Sequence, residues 1–310
     1  MMKPVLLVTI PMPDVHVPLL AETFDVLYAP DKASHAAVKA RLNEVEYVLT
    51  NGTRGYSAEE LAETPKLKQL SALGAGYENL AIAEAKQRGI IVSNGAGTND
   101  SIVADHALAL MLGTLRRLPM LDRVTREGVW RDVLSSPPGL SGKRVGILGL
   151  GLIGDKIARR AAGFDCEIGY TTRTRREASP YAYFADITAL ANWADCLVLA
   201  APGGAATRHI VNAEVLKALG STGFLFNISR GSLVDTKALG DALRNGTIAG
   251  AGLDVYESEP LPPAELIDLD NVVLTPHMAG RSPEAEQNAV DLFIANAKRT
   301  LAGEPVSTPL

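Results

Sequence analysis

The 310-residue sequence contains little of what builds a disulfide-stabilised protein. Cysteine occurs only at Cys166 and Cys196, whereas a small secreted scaffold needs several such residues. We interpret both as buried, apolar side chains of a reduced, cytoplasmic protein. A disulfide between them is the alternative.

Long apolar runs and an excess of positive charge are also absent. No run approaches the roughly 18 apolar residues of a membrane-spanning helix, so we expect no membrane partner. The apolar run between Pro4 and Pro11 predicts a first strand, because a signal peptide needs a longer apolar core and a small-residue cleavage site. The net charge of −5 disfavours a nucleic-acid partner. An anionic substrate would therefore need a local cationic pocket.

What the sequence does contain is an alternation of β-rich and helical segments. Apolar residues make up 47% and charged residues 21% of the chain, as in ordinary soluble proteins. Ser57 followed by Glu60 predicts a capping box at the start of one helix. The alternation indicates an α/β fold with parallel sheets covered by helices. The predicted strands are residues 5–10, 45–50, 66–73, 89–94, 144–148, 166–170, 195–200, 223–229, 248–254 and 272–275.

The alternation breaks near residue 98 and resumes at residue 144, which indicates two domains. Between these points lie a long helical pattern, with one apolar face, and a second helical stretch that reaches Trp130. The apolar face comprises Val103, Ala107, Leu110 and Met111. An amphipathic helix is predicted over residues 282–306. We predict a substrate-binding, flavodoxin-like domain at 1–98 plus 285–310, a dinucleotide-binding Rossmann domain at 99–284, and a cleft between them.

The segment GLGLIGDKIARR, which starts at residue 149, follows a predicted strand and begins a predicted helix. Gly149, Gly151 and Gly154 give the spacing G-x-G-x-x-G in the setting that a dinucleotide site requires. Gly149 would allow a tight turn, Gly151 a close approach to a pyrophosphate, and Gly154 close packing of a helix whose N-terminus faces the anion. We predict dinucleotide binding, and a turn used only for packing is the alternative.

The next strand ends in the cationic segment TTRTRRE instead of the acidic residue that usually binds the ribose of NAD. An acidic residue would repel a 2′-phosphate, whereas an arginine binds it with charge-assisted hydrogen bonds. We therefore predict that Arg173 selects NADPH over NADH, with Thr172 and Thr174 as further donors. A solvated basic turn is the alternative.

Candidate catalytic residues follow the later strands. His277 comes after a strand and a proline, at the sheet edge where ligands bind in open α/β folds. Arg230 follows another strand and could bind a carboxylate through two hydrogen bonds. Glu257 and Glu259 come after the next strand; either could orient His277 as a general acid, or both could be solvated. Spacing does not choose between them.

Taken in order, these motifs resemble the D-isomer-specific 2-hydroxyacid dehydrogenase family. The similar segments are GLGLIG, NISRGSLVD, GAGLDVYESEP and TPHMAG, together with LGAGYENLAIAEAKQRGIIVSN and NDSIVADHALALML. They extend over nearly the whole chain. Within the family the sequence is most similar to the NADP-dependent glyoxylate/hydroxypyruvate and hydroxyphenylpyruvate reductases.

The resemblance implies a role for each matching residue. Arg230 would hold the substrate carboxylate and keto oxygen, His277 would protonate the keto oxygen, and Glu259 would pair with His277. Asp254 would lie near the nicotinamide. The implied substrate-binding residues are Leu73, Gly74, Ala75, Gly76, Arg230 and His277. The implied NADP-binding residues are Gly149, Leu150, Gly151, Leu152, Ile153, Gly154, Thr172, Arg173, Thr174, Ala201, Pro202, Thr207, Ile228, Ser229, Asp254, His277, Ala279 and Gly280.

The resemblance also discriminates within the family and shows a departure. Formate dehydrogenases of the same fold carry glutamine in place of the acid, so Glu259 favours a 2-keto acid reductase. The loop after the strand at 195–200 carries Gly203 and Gly204, where the family commonly has leucine and threonine. His106 is interpreted as structural, on a helix that the resemblance places in a subunit contact. Trp130 is either a residue of the substrate entrance or a buried anchor.

The function implied is NADPH-dependent reduction of small 2-keto acids, such as glyoxylate or hydroxypyruvate, to D-2-hydroxy acids by a homodimer. A nucleotide-sensing binding protein on the same scaffold is one alternative, and a 3-phosphoglycerate-type dehydrogenase is another. No group of histidine, cysteine and carboxylate residues has metal-ligand spacing, so we predict no metal.

Overall fold

The computed structural model describes residues 3–310, which form two compact units. The terminal unit consists of the chain up to Asn99 together with Gly280–Leu310, and the central unit is Asp100–Ala279. The sequence placed the second boundary at 284. The chain stays with the central unit as far as Ala279 because the amides of Met278 and Ala279 donate hydrogen bonds to the side-chain carboxylate of Asp254.

The strands are short, between two and five residues long. Their bounds are β1 Val5–Val8, β2 Asp25–Tyr28, β3 Tyr47–Thr50, β4 Gln69–Ala72, β5 Ile91–Ser93, β6 Arg144–Leu148, β7 Glu167–Thr171, β8 Ala182–Tyr183, β9 Cys196–Leu199, β10 Phe224–Asn227, β11 Gly250–Leu253 and β12 Val272–Leu274.

The α-helices follow the strands through both units. Their bounds are α1 His16–Thr23, α2 Lys32–Val38, α3 Ala58–Glu63, α4 Ile82–Gln87, α5 Asp100–Leu115, α6 Leu118–Arg126, α7 Leu152–Ala162, α8 Ile187–Trp193, α9 Ala213–Leu219, α10 Thr236–Arg244 and α11 Pro283–Leu301. Within residues 3–310, none of these helices has the length and apolar character needed to cross a membrane.

The sheet of the terminal unit has the strand order β2-β1-β3-β4-β5, and its strands pair in parallel. This is the flavodoxin-like order. The predicted capping box is confirmed: Ser57 accepts a hydrogen bond from the Glu60 amide, and the Glu60 carboxylate accepts one from the Ser57 amide. The second half of α11 packs its apolar face on this sheet, where Phe293 and Ala297 join the core residues Leu6 and Tyr47.

The sheet of the central unit has the order β12-β11-β10-β9-β6-β7-β8, again with parallel pairing. Counted from β6, it is the dinucleotide-binding order with one strand added beyond β11. The predicted apolar face of α5 is confirmed, because its four residues are buried in the core under this sheet. Cys166 and Cys196 are both buried. The predicted α/β fold with two parallel sheets is therefore confirmed.

Three details of the predicted elements are wrong. β2 and β8 were not predicted, and both are edge strands with mostly half-exposed or exposed side chains. The helix predicted to reach Trp130 ends at Arg126, since Gly128 adopts a left-handed φ of 85°. The helix predicted to reach residue 306 ends at Leu301, because Gly303 adopts a left-handed φ of 73°.

Candidate active site

The glycine turn between β6 and α7 has the geometry of a phosphate site. Gly149 adopts a φ of 93°, and a Cβ there would lie 2.7 Å from the carbonyl oxygen of Ala200. A Cβ on Gly154 would lie 2.0 Å from the Gly149 carbonyl oxygen, whereas one on Gly151 would meet nothing within 4 Å. Gly149 and Gly154 are therefore required by the turn itself, and Gly151 leaves open space for a ligand.

The first amides of α7 face that open space. Gly151 is the N-cap residue and offers no side chain to bond the amides of Leu152 and Ile153, so the N-terminus of an 11-residue helix presents its donors to an anion. Leu150 is buried beneath the turn. A dinucleotide pyrophosphate fits this arrangement.

The cationic segment begins where β7 ends, next to the glycine turn. The amide of Gly149 donates to the carbonyl oxygen of Thr171, the last residue of β7. Thr172 Oγ1 donates to the carbonyl oxygen of Thr174 at 2.8 Å, which curls the chain so that Arg173 projects from the bend and is exposed. An exposed guanidinium on this loop fits a 2′-phosphate.

The loop after β9 and the segment after β10 lie side by side. Thr207 Oγ1 donates to the carbonyl oxygen of Pro202 at 2.9 Å and closes the loop that begins at Ala201. Ser229 Oγ donates to the carbonyl oxygen of Leu199 at 2.8 Å, and both Ile228 and Ser229 are buried. These bonds hold the predicted cofactor residues of the two segments at the carboxyl edge of the sheet.

Arg230 follows this buried segment and is half-buried. Its Nη1 donates to the carbonyl oxygen of Ser229 at 2.6 Å, and its own carbonyl oxygen accepts from Asn227 Nδ2 at 2.9 Å. A Cβ on Gly203 would lie 2.9 Å from Arg230 Cγ. The departure from the family at Gly203 thus removes a side chain from the space that the Arg230 stem occupies.

His277 and Glu259 form the pair that the resemblance predicted. His277 Nδ1 lies 2.8 Å from Glu259 Oε2, and Glu259 Oε1 accepts a hydrogen bond from the Tyr256 amide at 2.8 Å. Burial alone would raise the pKa of Glu259, but the hydrogen bonds from His277 and Tyr256 and the charges of His277 and Arg230 outweigh it and lower the pKa. Glu259 is therefore ionised near neutral pH and accepts the Nδ1 proton of His277.

The other ring nitrogen of His277, Nε2, is then free to carry or release a proton. The side chain of His277 is 38% exposed, so a substrate can reach it. The choice between the two acids is also resolved. Glu257 Oε1 accepts from His209 Nε2 at 2.7 Å, and Glu257 Oε2 accepts from Thr236 Oγ1 at 2.8 Å. Both carboxylate oxygens therefore bond to residues other than His277.

Asp254 is fully buried, with 0% of its surface exposed, and its carboxylate binds the turn that carries His277. It accepts the amides of Met278 and Ala279, each at 2.8 Å, and the hydroxyl of Thr275 at 2.6 Å. Its carbonyl oxygen accepts the His277 amide at 2.8 Å. Asp254 therefore shapes the catalytic turn.

Three residues near this turn lie within the matched segments, although the resemblance implied no catalytic or binding role for them. Tyr256 donates its hydroxyl to the carbonyl oxygen of Thr275, and His106 Nε2 lies 3.0 Å from Thr275 Oγ1. A polar residue directly before the Pro–His pair, as in the segment LTPH, was the available hint for Thr275. The predicted structural role of His106 agrees with this bond.

The segment Leu73–Gly76 belongs to the terminal unit and follows β4. The amide of Leu73 donates to the carbonyl oxygen of Thr50 at 2.8 Å, so it is already used within the sheet. Within residues 3–310, the amides of Gly74, Ala75 and Gly76 donate no main-chain hydrogen bond. These three amides remain candidates for binding a carboxylate. Trp130 is 68% exposed and is not a buried anchor.

Comparisons with known proteins agree with this geometry. The profile of the D-isomer specific 2-hydroxyacid dehydrogenase, NAD binding domain matches residues 108–279. The chain belongs to this family. It is thus an enzyme of the D-2-hydroxyacid dehydrogenase type, and the predicted resemblance is confirmed.

Individual relatives extend the match to the whole chain. A glyoxylate/hydroxypyruvate reductase of Arabidopsis thaliana is 41% identical over 81% of this chain and 79% of its own. A glyoxylate reductase of Pyrococcus horikoshii is 38% identical over 98% of this chain and 94% of its own. An NADPH-dependent glyoxylate/hydroxypyruvate reductase of Sinorhizobium meliloti, solved with NADP and malonate, has a TM-score of 0.92 and 37% identity over 99% of this chain and 97% of its own.

Proposed function

We propose that this enzyme reduces small 2-keto acids, with glyoxylate and hydroxypyruvate as the leading candidates, to D-2-hydroxy acids with NADPH. The observation that carries the proposal is the bonded pair of His277 and Glu259, which lies with Arg230 at the carboxyl edge of a dinucleotide-binding sheet. The named activities of the relatives support the same substrate class. They do not favour a nucleotide sensor or a 3-phosphoglycerate-type dehydrogenase.

The residues proposed to hold the cofactor are those of the glycine turn and the loops beside it. The amides of Leu152 and Ile153 bind the pyrophosphate at the start of α7. The segments after β9 and β10, including Ala201 and Ser229, border the nicotinamide side. When bound, NADPH supplies the hydride that reduces the keto carbon.

His277 supplies the proton in this proposal. Its Nδ1–H is held by Glu259, so Nε2 of the protonated ring faces the keto oxygen and donates to it as negative charge develops there. Glu259 stabilises the ring in its cationic form and fixes its orientation. After transfer the ring is neutral and regains a proton from solvent, to which it is exposed.

Arg230 is proposed to bind the substrate carboxylate and to stabilise the developing charge on the keto oxygen. Its hydrogen bond to the carbonyl oxygen of Ser229 uses one nitrogen, Nη1. The amides of Gly74, Ala75 and Gly76 are proposed as carboxylate donors from the terminal unit, as the resemblance implies.

The preference for NADPH over NADH rests on Arg173. The exposed guanidinium follows β7 on a loop with no acidic residue before Glu177, so the loop is suited to a 2′-phosphate. We also propose that the enzyme is a homodimer in a reducing, cytoplasmic environment. The exposed apolar side chains of Leu118, Trp130 and Val133, around α6, support a partner surface there.

The test is the initial rate of cofactor oxidation with glyoxylate and with hydroxypyruvate, each measured with NADPH and with NADH at equal low concentrations. We expect turnover with at least one of the two acids and a faster rate with NADPH. His277→Ala should bind NADPH as the wild type does while turnover falls about 10²–10⁴-fold, the usual contribution of a general acid. Wild-type protein that binds NADPH but turns over neither acid, nor a wider panel of 2-keto acids, would contradict the proposed activity. Undiminished turnover in His277→Ala would contradict the role of His277.

A further inference from the structure

The turn that carries His277 has an unfavourable backbone conformation. His277 adopts a φ of 55°, in the left-handed region that is unfavourable for residues other than glycine. Such a conformation persists only when the surrounding contacts hold it. Asp254 provides these contacts through its carboxylate and its carbonyl oxygen.

Asp254 is in turn approached from helix α5. His106 Nε2 lies 3.0 Å from Thr275 Oγ1 and 3.5 Å from Asp254 Oδ1, and Thr275 Oγ1 lies 2.6 Å from the same carboxylate oxygen. Burial would raise the pKa of Asp254, but the hydrogen bonds from His106, Thr275 and the amides of Met278 and Ala279 outweigh it and lower the pKa. The carboxylate is therefore ionised and acts only as an acceptor.

The protons in this chain of contacts can be assigned from that charge. Thr275 has one hydroxyl proton. It donates this proton in a hydrogen bond to the ionised carboxylate of Asp254, with 2.6 Å between Thr275 Oγ1 and Asp254 Oδ1. The Thr275 oxygen must then accept from His106, so His106 carries a proton on Nε2. The direction of donation therefore runs from His106 Nε2 through Thr275 Oγ1 to Asp254 Oδ1.

The starting point of this chain is rigid. His106 lies in the middle of α5, a helix that packs on β10, β11 and β12 and against α7. Neighbouring residues of the helix, Ala104 and Ala107, are fully buried in the core. The core therefore holds the backbone at His106 in place, and the hydrogen bond of its side chain reaches the turn that carries His277.

We propose that His106 and Thr275 are positioning residues for His277: they hold Asp254 and the turn Thr275–Ala279 so that the His277 ring meets the keto oxygen. This inference rests on the proposed function for the reaction that it affects. It predicts that removing either residue slows the chemical step, because a misplacement of the reacting groups by about 1 Å lowers the rate up to about 10²-fold. We expect the affinity for NADPH to change much less than the rate, because the proposed pyrophosphate and 2′-phosphate contacts lie on the glycine turn and on the loop after β7.

The experiment uses two disruptive variants and two conservative ones. His106→Phe removes the donor and keeps a ring, and Thr275→Val removes the hydroxyl and keeps the shape. His106→Gln retains an N–H at a similar reach, and Thr275→Ser retains the hydroxyl. His35→Phe makes the same change on α2, which carries none of the proposed site residues. For each we would measure kcat, KM, the NADPH Kd, the thermal midpoint and amide hydrogen exchange of the segment 275–280.

We expect His106→Phe and Thr275→Val each to lower kcat about 10- to 100-fold and to speed exchange in the segment 275–280. KM and the NADPH Kd should change less than about threefold. The double variant should lose no more than either single one, because both break the same chain of contacts. His106→Gln, Thr275→Ser and His35→Phe should remain within about threefold of wild-type kcat.

Two results would overturn the inference. One is unchanged exchange in the segment 275–280 in both disruptive variants, which is readable even if the wild type turns over no 2-keto acid. The other is losses in kcat that multiply in the double variant, or that the conservative variants share. A wild type without turnover but with faster exchange in the disruptive variants would reject the proposed function and leave the positioning of the turn supported.

Discussion

At the scale of single residues, Gly203 and Arg230 share a contact that leaves no room for a side chain. A Cβ on Gly203 would lie 2.9 Å from Arg230 Cγ and 3.3 Å from Arg230 Cβ. Both atoms belong to the stem of the side chain, next to the backbone, so they move only if the guanidinium moves as well. Gly203 therefore helps to decide where the proposed carboxylate-binding group lies.

Gly203→Ala should reduce kcat/KM for the 2-keto acid about tenfold or more, since overpacking costs about 1–3 kcal/mol. The loss should appear mainly as a higher KM, because the displaced group binds the carboxylate in the ground state as well. Gly139→Ala is the matched control, since a Cβ there meets nothing within 4 Å. The measurement is kcat and KM of the two variants under steady-state conditions. Equal kcat/KM values would show that Arg230 accommodates the added methyl group without leaving its binding position.

The same residues show how far the sequence reaches at this scale. Arg230, Glu259 and His277 could be predicted because carboxyl ends of parallel strands lie at one edge, so residues that follow different strands meet there. The choice of Glu259 over Glu257 needed the resemblance. The bond between His106 and Thr275 joins residues 169 positions apart, and no local pattern marks such a pair.

At the scale of elements, the loop that follows β7 determines the cofactor in our proposal. Arg173→Ala should raise the Kd for NADPH about 10- to 100-fold, the equivalent of losing charge-assisted hydrogen bonds to a phosphate. The Kd for NADH, which lacks that phosphate, should change little. Titration of cofactor fluorescence measures both values on the same sample, and a parallel loss for the two cofactors would refute the assignment of Arg173.

The elements that were predicted most readily are the buried central strands. β1, β3, β6 and β10 are buried along their whole lengths or nearly so, and such strands leave an apolar run in the sequence. The edge strands β2 and β8, with mostly half-exposed or exposed side chains, were missed, whereas the edge strand β12 was predicted from its apolar run although its side chains are half-buried. Helix ends were missed where a single glycine with left-handed φ ends the helix, as Gly303 does after α11.

At the scale of the whole molecule, one ion pair ties stability to pH. The Asp195 carboxylate accepts the Arg144 amide at 2.8 Å and lies 3.1 Å from Arg144 Nη2, joining the starts of β9 and β6. Burial would raise the pKa of Asp195, but the hydrogen bonds and charge of Arg144 outweigh it and lower the pKa below 3.8. The stabilisation is therefore present above the unfolded pKa and is lost as the pH falls through the folded one.

Asp195→Asn should lower the free energy of unfolding at pH 7 by about 1 kcal/mol, a value reduced by the partial exposure of both side chains. That loss corresponds to about 2–4 °C in thermal midpoint for a unit of this size. The difference from wild type should shrink as the pH falls below the unfolded pKa of about 3.9 and vanish only below the lowered folded pKa, where Asp195 is protonated in both states. Asp122→Asn, at an exposed pair on α6, is the control. A difference that persists unchanged to pH 3 would contradict the role of charge.

The order of the units along the chain has a consequence for synthesis. The central unit is one continuous segment, Asp100–Ala279, whereas the terminal unit needs both ends of the chain. The second half of α11 completes the core around Leu6 and Tyr47, and the amide of Leu310 bonds to the carbonyl oxygen of Val92. Because a ribosome delivers the chain from its N-terminus, the segment before Asn99 must wait for about 200 further residues before its last helix emerges. The nascent sheet β1–β5 thus spends that interval with part of its apolar surface uncovered, and a chaperone that binds such surfaces would find its target there.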